Sequence, residues 1–96
     1  MIVSLTSVAE EEFAKAAEYY ELQREGLGDE FVSEVLRTAA ILEDFPQIGT
    51  PIMPKFRSFQ VRRFPYALVY REDVDELIVV AVAHNSRNPD YWRDRI

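Results

Sequence analysis

The residues best equipped for chemistry in this 96-residue chain crowd into one stretch, His84-Asn85-Ser86-Arg87-Asn88-Pro89-Asp90-Tyr91-Trp92-Arg93-Asp94-Arg95. His84, the single histidine, could move a proton near neutral pH. Arg87 could grip a phosphate or carboxylate in a fork, and Tyr91 or Trp92 could stack on a nucleobase. Each also has a structural reading. A histidine at a strand end can be a hydrogen-bonded part of the fold, and Trp92 can close over the sheet edge as a lid, because an indole buries much apolar area. Arg87 can pair with Asp90 or Asp94, for ~0 to 1 kcal/mol. A second stretch, Arg62-Arg63-Phe64-Pro65-Tyr66, interleaves cations with aromatics as nucleic-acid surfaces do, though Phe64 and Tyr66 could equally be core.

What is missing narrows the classes. Three glycines form no phosphate-binding loop, and no Gly-x-Ser-x-Gly elbow occurs. Without cysteine and with one histidine, disulfides are excluded and thiolate or imidazole metal clusters nearly so, and no cofactor or metal is expected. The N-terminus has neither a basic start nor an apolar run, and no segment approaches the ~20 apolar residues that span a bilayer. The expectation is a cytoplasmic protein with no membrane partner.

Charge is divided unevenly. The net value of −6 argues against loose affinity for nucleic acid. Residues 1–50 carry eleven acids against Lys15, Arg24 and Arg37, a local charge of −8; residues 51–96 carry six acids against eight bases, a local charge of +2. Such a split suggests two faces with different partners, unless the first half is simply a solvated acidic helix surface.

The elements that must position these groups can be read from periodicity, and so short a chain supports one core. Ile2 to Leu5 reads as a short edge strand. Ser7 with Glu10 forms a capping-box pattern, worth about 1 kcal/mol, and opens a helix with Ala9, Phe13, Ala16, Ala17 and Tyr20 on one side. Glu10, Glu11 and Glu12 fall in its first turn and read as dipole support and solvated surface. Gly26-Leu27-Gly28 breaks the helix. A second helix presents Phe31, Val32, Val35, Leu36, Ala39 and Leu42 until Pro46 stops it, so the two helices pack antiparallel.

The proline-rich segment from Pro46 to Pro54 reads as loop. The period then alternates, with Phe59, Val61 and Arg63 on one side and Ser58, Gln60 and Arg62 on the other. Tyr66 to Arg71 is the next strand, and Leu77 to Ala83, apolar without interruption, is a central strand covered on both faces. The predicted fold class is α+β: an N-terminal strand, an antiparallel helical hairpin, then a three-strand antiparallel meander in one domain spanning residues 1–96. The arginines and tail aromatics are expected on the sheet face away from the helices.

In this order the features resemble the RelE/ParE toxin superfamily over essentially the whole chain. The resemblance is carried by Glu18-Tyr19-Tyr20 ending the acidic first helix, by Gly26-Leu27-Gly28 leading into Phe31, and by Phe45-Pro46 followed by Gly49. It is completed by the block Val61-Arg62-Arg63-Phe64-Pro65-Tyr66-Ala67-Leu68-Val69-Tyr70, and by Ala81-Val82-Ala83-His84 with Arg87, Pro89, Tyr91-Trp92 and Arg95.

The resemblance implies the toxin of a bacterial type II toxin-antitoxin system. Its partner would be a ParD/RelB-like antitoxin that wraps the helical hairpin and an exposed sheet edge in a hetero-oligomer, with Phe13, Tyr20, Phe31 and Val35 as contacts. It implies one of two targets. RelE-like members cut messenger RNA in the ribosome with arginines, lysines and a tyrosine; ParE-like members inhibit DNA gyrase and arrest growth. On the RelE-like pattern two catalytic arginines fall on Ala67 and Asn85, while Tyr91 matches the tyrosine. A ParE-like gyrase inhibitor is therefore the first expectation, with Arg62, Arg63, Tyr66, His84, Arg87, Trp92 and Arg95 facing the target. A ribonuclease using His84, Arg87 and Tyr91, or an inert binding module, are the alternatives.

Overall fold

Thr6 ends a strand and starts a helix. Its backbone N–H donates to Val79 O at 3.0 Å, while its hydroxyl oxygen accepts from Ala9 N at 3.2 Å. In the computed structural model, which describes residues 1–96, it joins β1 (Ile2–Leu5) to α1 (Ser7–Gln23). The cap thus lies one residue before the Ser7 expected from sequence, since Thr6 alone has the extended backbone that a cap requires.

Gly26, at φ 88°, reverses the chain into α2 (Leu27–Asp44). The opening N–H groups of α2 are met from the preceding helix: the Glu21 carboxylate accepts from Gly26 N and Gly28 N, each at 2.9 Å. The helices approach so closely here that a Cβ on Gly28 would lie 2.6 Å from Ala17 O. Every third or fourth residue of α2, from Gly28 and Phe31 through Val35 and Thr38 to Leu42, is buried, giving the apolar stripe that docks on the sheet.

The sheet runs in the order β1-β5-β4-β3-β2, with β2 (Thr50–Met53), β3 (Phe56–Gln60), β4 (Tyr66–Glu72) and β5 (Glu76–His84). β1 pairs parallel with β5 at one edge, and the other pairings are antiparallel. The expected meander is present and the loop before it adds a strand. β2 includes Pro51 and pairs on one side only, against β3, with an irregularity between Pro51 and Met53. An edge position tolerates proline because the missing donor faces no neighbour.

The sheet has an apolar core on each face. Toward the helices, Leu68, Tyr70, Leu77, Val79 and Val82 join Phe31, Val35 and Leu42; on the far face lie Phe56, Val69, Val80, Ala81 and Trp92. A shift in register at Val69–Tyr70, opposite Val80, turns Val80 and Ala81 both to the far face. That explains why Leu77 to Ala83 of β5 is apolar without interruption, as expected of a strand covered on both sides. Each large side chain buried here stabilises by roughly 1.5–3 kcal/mol. No helix is long and apolar enough to cross a membrane.

Candidate functional site

The C-terminal dozen residues fold back over the end of β5 and are fixed there. Trp92 is 2% exposed and packs on Phe56, ring centroids 5.2 Å apart, in the lid arrangement. Buried in this way, its indole has no face free for a target. On the other side of the tail, the Tyr91 hydroxyl donates to Glu12 Oε2 at 2.7 Å, and Arg95 forks onto both Glu12 oxygens at 3.0 and 2.8 Å.

The reason for this clasp lies in strand lengths. β1 pairs with β5 only as far as Val79, leaving ladder groups beyond it open. Glu12 Oε1 accepts from Val82 N at 3.0 Å and Arg95 Nη1 donates to Val80 O at 3.0 Å, so an ion pair completes the edge where a strand would otherwise stand. Burial by itself raises the Glu12 carboxyl, yet the bonds from Arg95, Tyr91 and Val82 outweigh it and hold Glu12 below the ordinary carboxylate range. Burial, then the bond to Glu12, pushes the Tyr91 phenol up to about 12. Glu12 is therefore no solvated companion of Glu10 and Glu11, both of which are exposed. Its signal in the sequence is spacing: Ala9, Glu12, Phe13 and Ala16 share one face of a helix.

His84 stands at the end of β5 with its ring edge-on to Tyr66, centroids 5.1 Å apart. Its Nδ1 accepts from Ser86 N at 3.0 Å, which places the proton of the neutral ring on Nε2. The Arg87 guanidinium lies 3.9 Å above the Tyr91 ring and forms no ion pair; Asp90 pairs with Arg93 at 3.3 Å, so the pairing of Arg87 with Asp90 read as an alternative does not occur.

The other predicted cations divide. Arg62 is exposed and unpaired. Arg63 adopts φ 69° in the turn after β3, leaving the alternation that put it beside Phe59 and Val61, and reaches α2 instead, 2.7 Å from Glu30 and 3.7 Å from Glu34. Arg95 is the partner of Glu12. The arginines are thus not gathered on the far face as expected: Arg63 sits against the helices, because the acidic first half draws it there, while the tail aromatics straddle the sheet end. Tyr66 and Phe64 belong to the helix-side core, with Tyr66 5.1 Å from Phe31.

The residues assigned to antitoxin contact are also core. Phe31 and Val35 are 0% and 2% exposed, and Phe13 and Tyr20 pack half-buried beside them. They form the stripe that holds the helices to the sheet; Phe31 and Val35 are enclosed by it, while Phe13 and Tyr20 keep part of their surface accessible. The outer surface of the pair carries Val8, Tyr19, Leu22 and Leu36.

On the far face, a cavity of about 170 Å³ lies between the sheet and the tail, lined among others by Ser58, Ala67, Ala83, Asn85, Arg87 and Tyr91. The two positions at which the ribonuclease-like pattern sets arginines, Ala67 and Asn85, both border it. Arg87 is the only arginine or lysine on its walls, beside His84.

Comparison with known proteins agrees with this architecture. A family model described as the ParE toxin of type II toxin-antitoxin system, parDE, matches residues 3–89. A solved structure described as the Chromosomal ParDE TA system from P. aeruginosa superposes with a TM-score of 0.63 at 13% identity, over 88% of this chain and 95% of that one, a likeness of fold. No curated protein matches. With the family model covering nearly the whole chain, the protein belongs to the ParE toxin family of type II toxin-antitoxin systems.

Proposed function

We propose that this ParE-family chain is a growth-arresting toxin that binds and inhibits DNA gyrase in the cytoplasm and does not cut RNA itself. The observation that carries this choice is the state of Tyr91. A tyrosine that helps activate a ribose hydroxyl must be able to exchange its proton, whereas this phenol is fixed on Glu12 and pushed up to about 12. The absence of an arginine at Ala67 and Asn85 points the same way, because the charge that builds on a phosphate during cleavage would meet one arginine, Arg87, and His84 in place of a cluster of cations. Binding to a target needs neither feature. The groups available to a partner at this end are Arg62, His84 and Arg87, with Tyr66 behind them.

A cognate antitoxin would neutralise the toxin by covering surface rather than by entering the core. Tyr19, Leu22 and Leu36 on the helix pair, and Ile48 and Ile52 at the β2 edge, are 41–82% exposed and supply the apolar area. β2 also offers an unpaired edge to an added strand.

The test is a supercoiling assay with purified chain and gyrase. Inhibition at micromolar toxin is expected, and unchanged supercoiling counts against the proposal. New messenger-RNA ends after induction, in the presence of translating ribosomes, would favour the ribonuclease reading, and harmless overexpression the inert module.

A further inference from the structure

Between α1 and the end of β5, on the helix side of the sheet, a cleft of about 300 Å³ is walled by Lys15, Tyr19, Tyr66, His84 and Arg87, with Glu12 at its base. It shares His84 and Arg87 with the cavity that borders Ala67 and Asn85, and differs from it in the α1 residues of its other wall. Its volume is at the low end for ligand sites and fits a small molecule or a single charged group.

The polar groups left free on these walls are almost all donors. Glu12 offers nothing, because Val82 N, the Tyr91 hydroxyl and Arg95 occupy both its oxygens. His84 Nδ1 is taken by Ser86, leaving Nε2–H. The Arg87 guanidinium carbon lies 3.9 Å from the Tyr91 ring centroid, and its N–H groups are paired with no side chain. Lys15 adds an ammonium from α1. Only the two tyrosine oxygens can accept, and burial raises the Tyr66 phenol, so it stays a donor at neutral pH.

A second observation is where the unpaired cations lie. Acids outnumber bases seventeen to eleven in the chain, and Arg24, Arg63, Arg71, Arg93 and Arg95 have each found a carboxylate. Six bases are left without a carboxylate, namely Lys15, Arg37, Lys55, Arg57, Arg62 and Arg87, and of these only Lys15 and Arg87 share this cleft. They come from elements far apart in sequence and converge beside an imidazole donor. An arginine fork, an ammonium and an N–H around one small volume match a tetrahedral dianion better than a single carboxylate.

We propose that this cleft is a phosphate-binding site, occupied by inorganic phosphate or by the phosphate of a mononucleotide whose base lies on the exposed ring of Tyr19. The assignment does not depend on which target the toxin blocks.

The experiment is an NMR titration of the isotopically labelled chain with sodium phosphate, against sodium chloride at matched ionic strength. Saturable shifts at Lys15, Tyr19, His84 and Arg87 are expected in phosphate and not in chloride. Lys15→Gln and Arg87→Gln should each weaken the apparent affinity by about tenfold, the loss of one charge-assisted contact, while unchanged dispersion elsewhere in the spectrum shows that they fold. Repeating the titration with adenosine monophosphate separates the sources: tighter binding with movement of the Tyr19 ring identifies a nucleotide, and affinity equal to that of inorganic phosphate identifies the free anion. Shifts no larger than those in chloride, shifts centred elsewhere, or affinity indifferent to both substitutions would overturn the proposal.

Discussion

The Glu12 carboxylate and the Arg95 guanidinium, 83 residues apart in the chain, meet through two hydrogen bonds of 3.0 and 2.8 Å and together close the open stretch of the β5 edge. Their side chains are 16% and 21% exposed. Removing one partner leaves the other charge in a poorly solvated place, and Arg95→Ala also frees Val80 O. We expect Arg95→Ala to lower unfolding free energy by about 2–4 kcal/mol, measured by urea denaturation. Glu12→Gln keeps an acceptor for Val82 N and should cost less. Equal and small losses for both, under about 0.5 kcal/mol, would mean that the clasp is an incidental surface pair.

The same clasp sets how stability responds to pH at both ends. Glu12 sits below the ordinary carboxylate range, so its folded form holds a proton less readily than the unfolded chain, whose value is about 4.3. Its contribution is full above that value and fades as pH falls through the lower folded one. Tyr91 runs the other way. Its phenol is pushed from an unfolded value of about 10 to about 12 in the fold. The stability it confers is full below pH of about 10 and is lost as pH rises toward the folded value. Glu12→Gln should therefore flatten the acid limb of the stability curve, and Tyr91→Phe the alkaline limb. An acid limb identical to that of the parent chain in Glu12→Gln would remove Glu12 as its source.

At the other end of the sheet, Tyr70 ties down the α2–β2 connection. Its hydroxyl donates to Pro46 O at 2.7 Å and accepts from Gly49 N at 3.0 Å, while its ring is wholly buried. A Cβ on Gly49 would lie 2.6 Å from that hydroxyl oxygen. Tyr70→Phe should cost about 1–3 kcal/mol by stranding two backbone groups, and Gly49→Ala about the same by overpacking. Thermal unfolding followed by circular dichroism measures both. Wild-type stability in Gly49→Ala would show that the loop shifts freely and that Tyr70 is not its anchor.

Tyr70 and Glu12 also show where sequence reading stops. Periodicity exposes whatever repeats along one element, which is why the helices, the meander and the doubly covered β5 could be read from residues alone. Trp92 as a lid was legible too, because an indole in a small chain has few other places. What could not be read are contacts made by one side chain to a distant backbone: Glu12 to Val82, Arg95 to Val80, Tyr70 to Gly49. They depend on where β1 stops and how the tail returns, which no local pattern encodes. Arg63 was misplaced for a related reason, since a positive φ in the turn after β3 interrupts the alternation on which its face was counted. Pro51 hid β2, because a proline signals loop unless the strand is known to lie at an edge.

Glu34 offers a last test, of whether the fold tolerates an imperfect charge for the sake of something outside it. The residue is 8% exposed, its Oε1 has no hydrogen-bond partner, and its Oε2 is 3.7 Å from Arg63, which already pairs with Glu30 at 2.7 Å. A half-satisfied carboxylate at that depth contributes little to the fold, and an apolar side chain of similar volume would pack against neighbouring α2 residues without needing a partner. Glu34→Met should leave the unfolding free energy within about 1 kcal/mol of the parent chain or raise it, while Glu34→Gln, still polar and still unpartnered, should not raise it. A loss of more than about 2 kcal/mol in Glu34→Met would mean that the carboxylate holds Arg63, and through it the turn after β3, against α2.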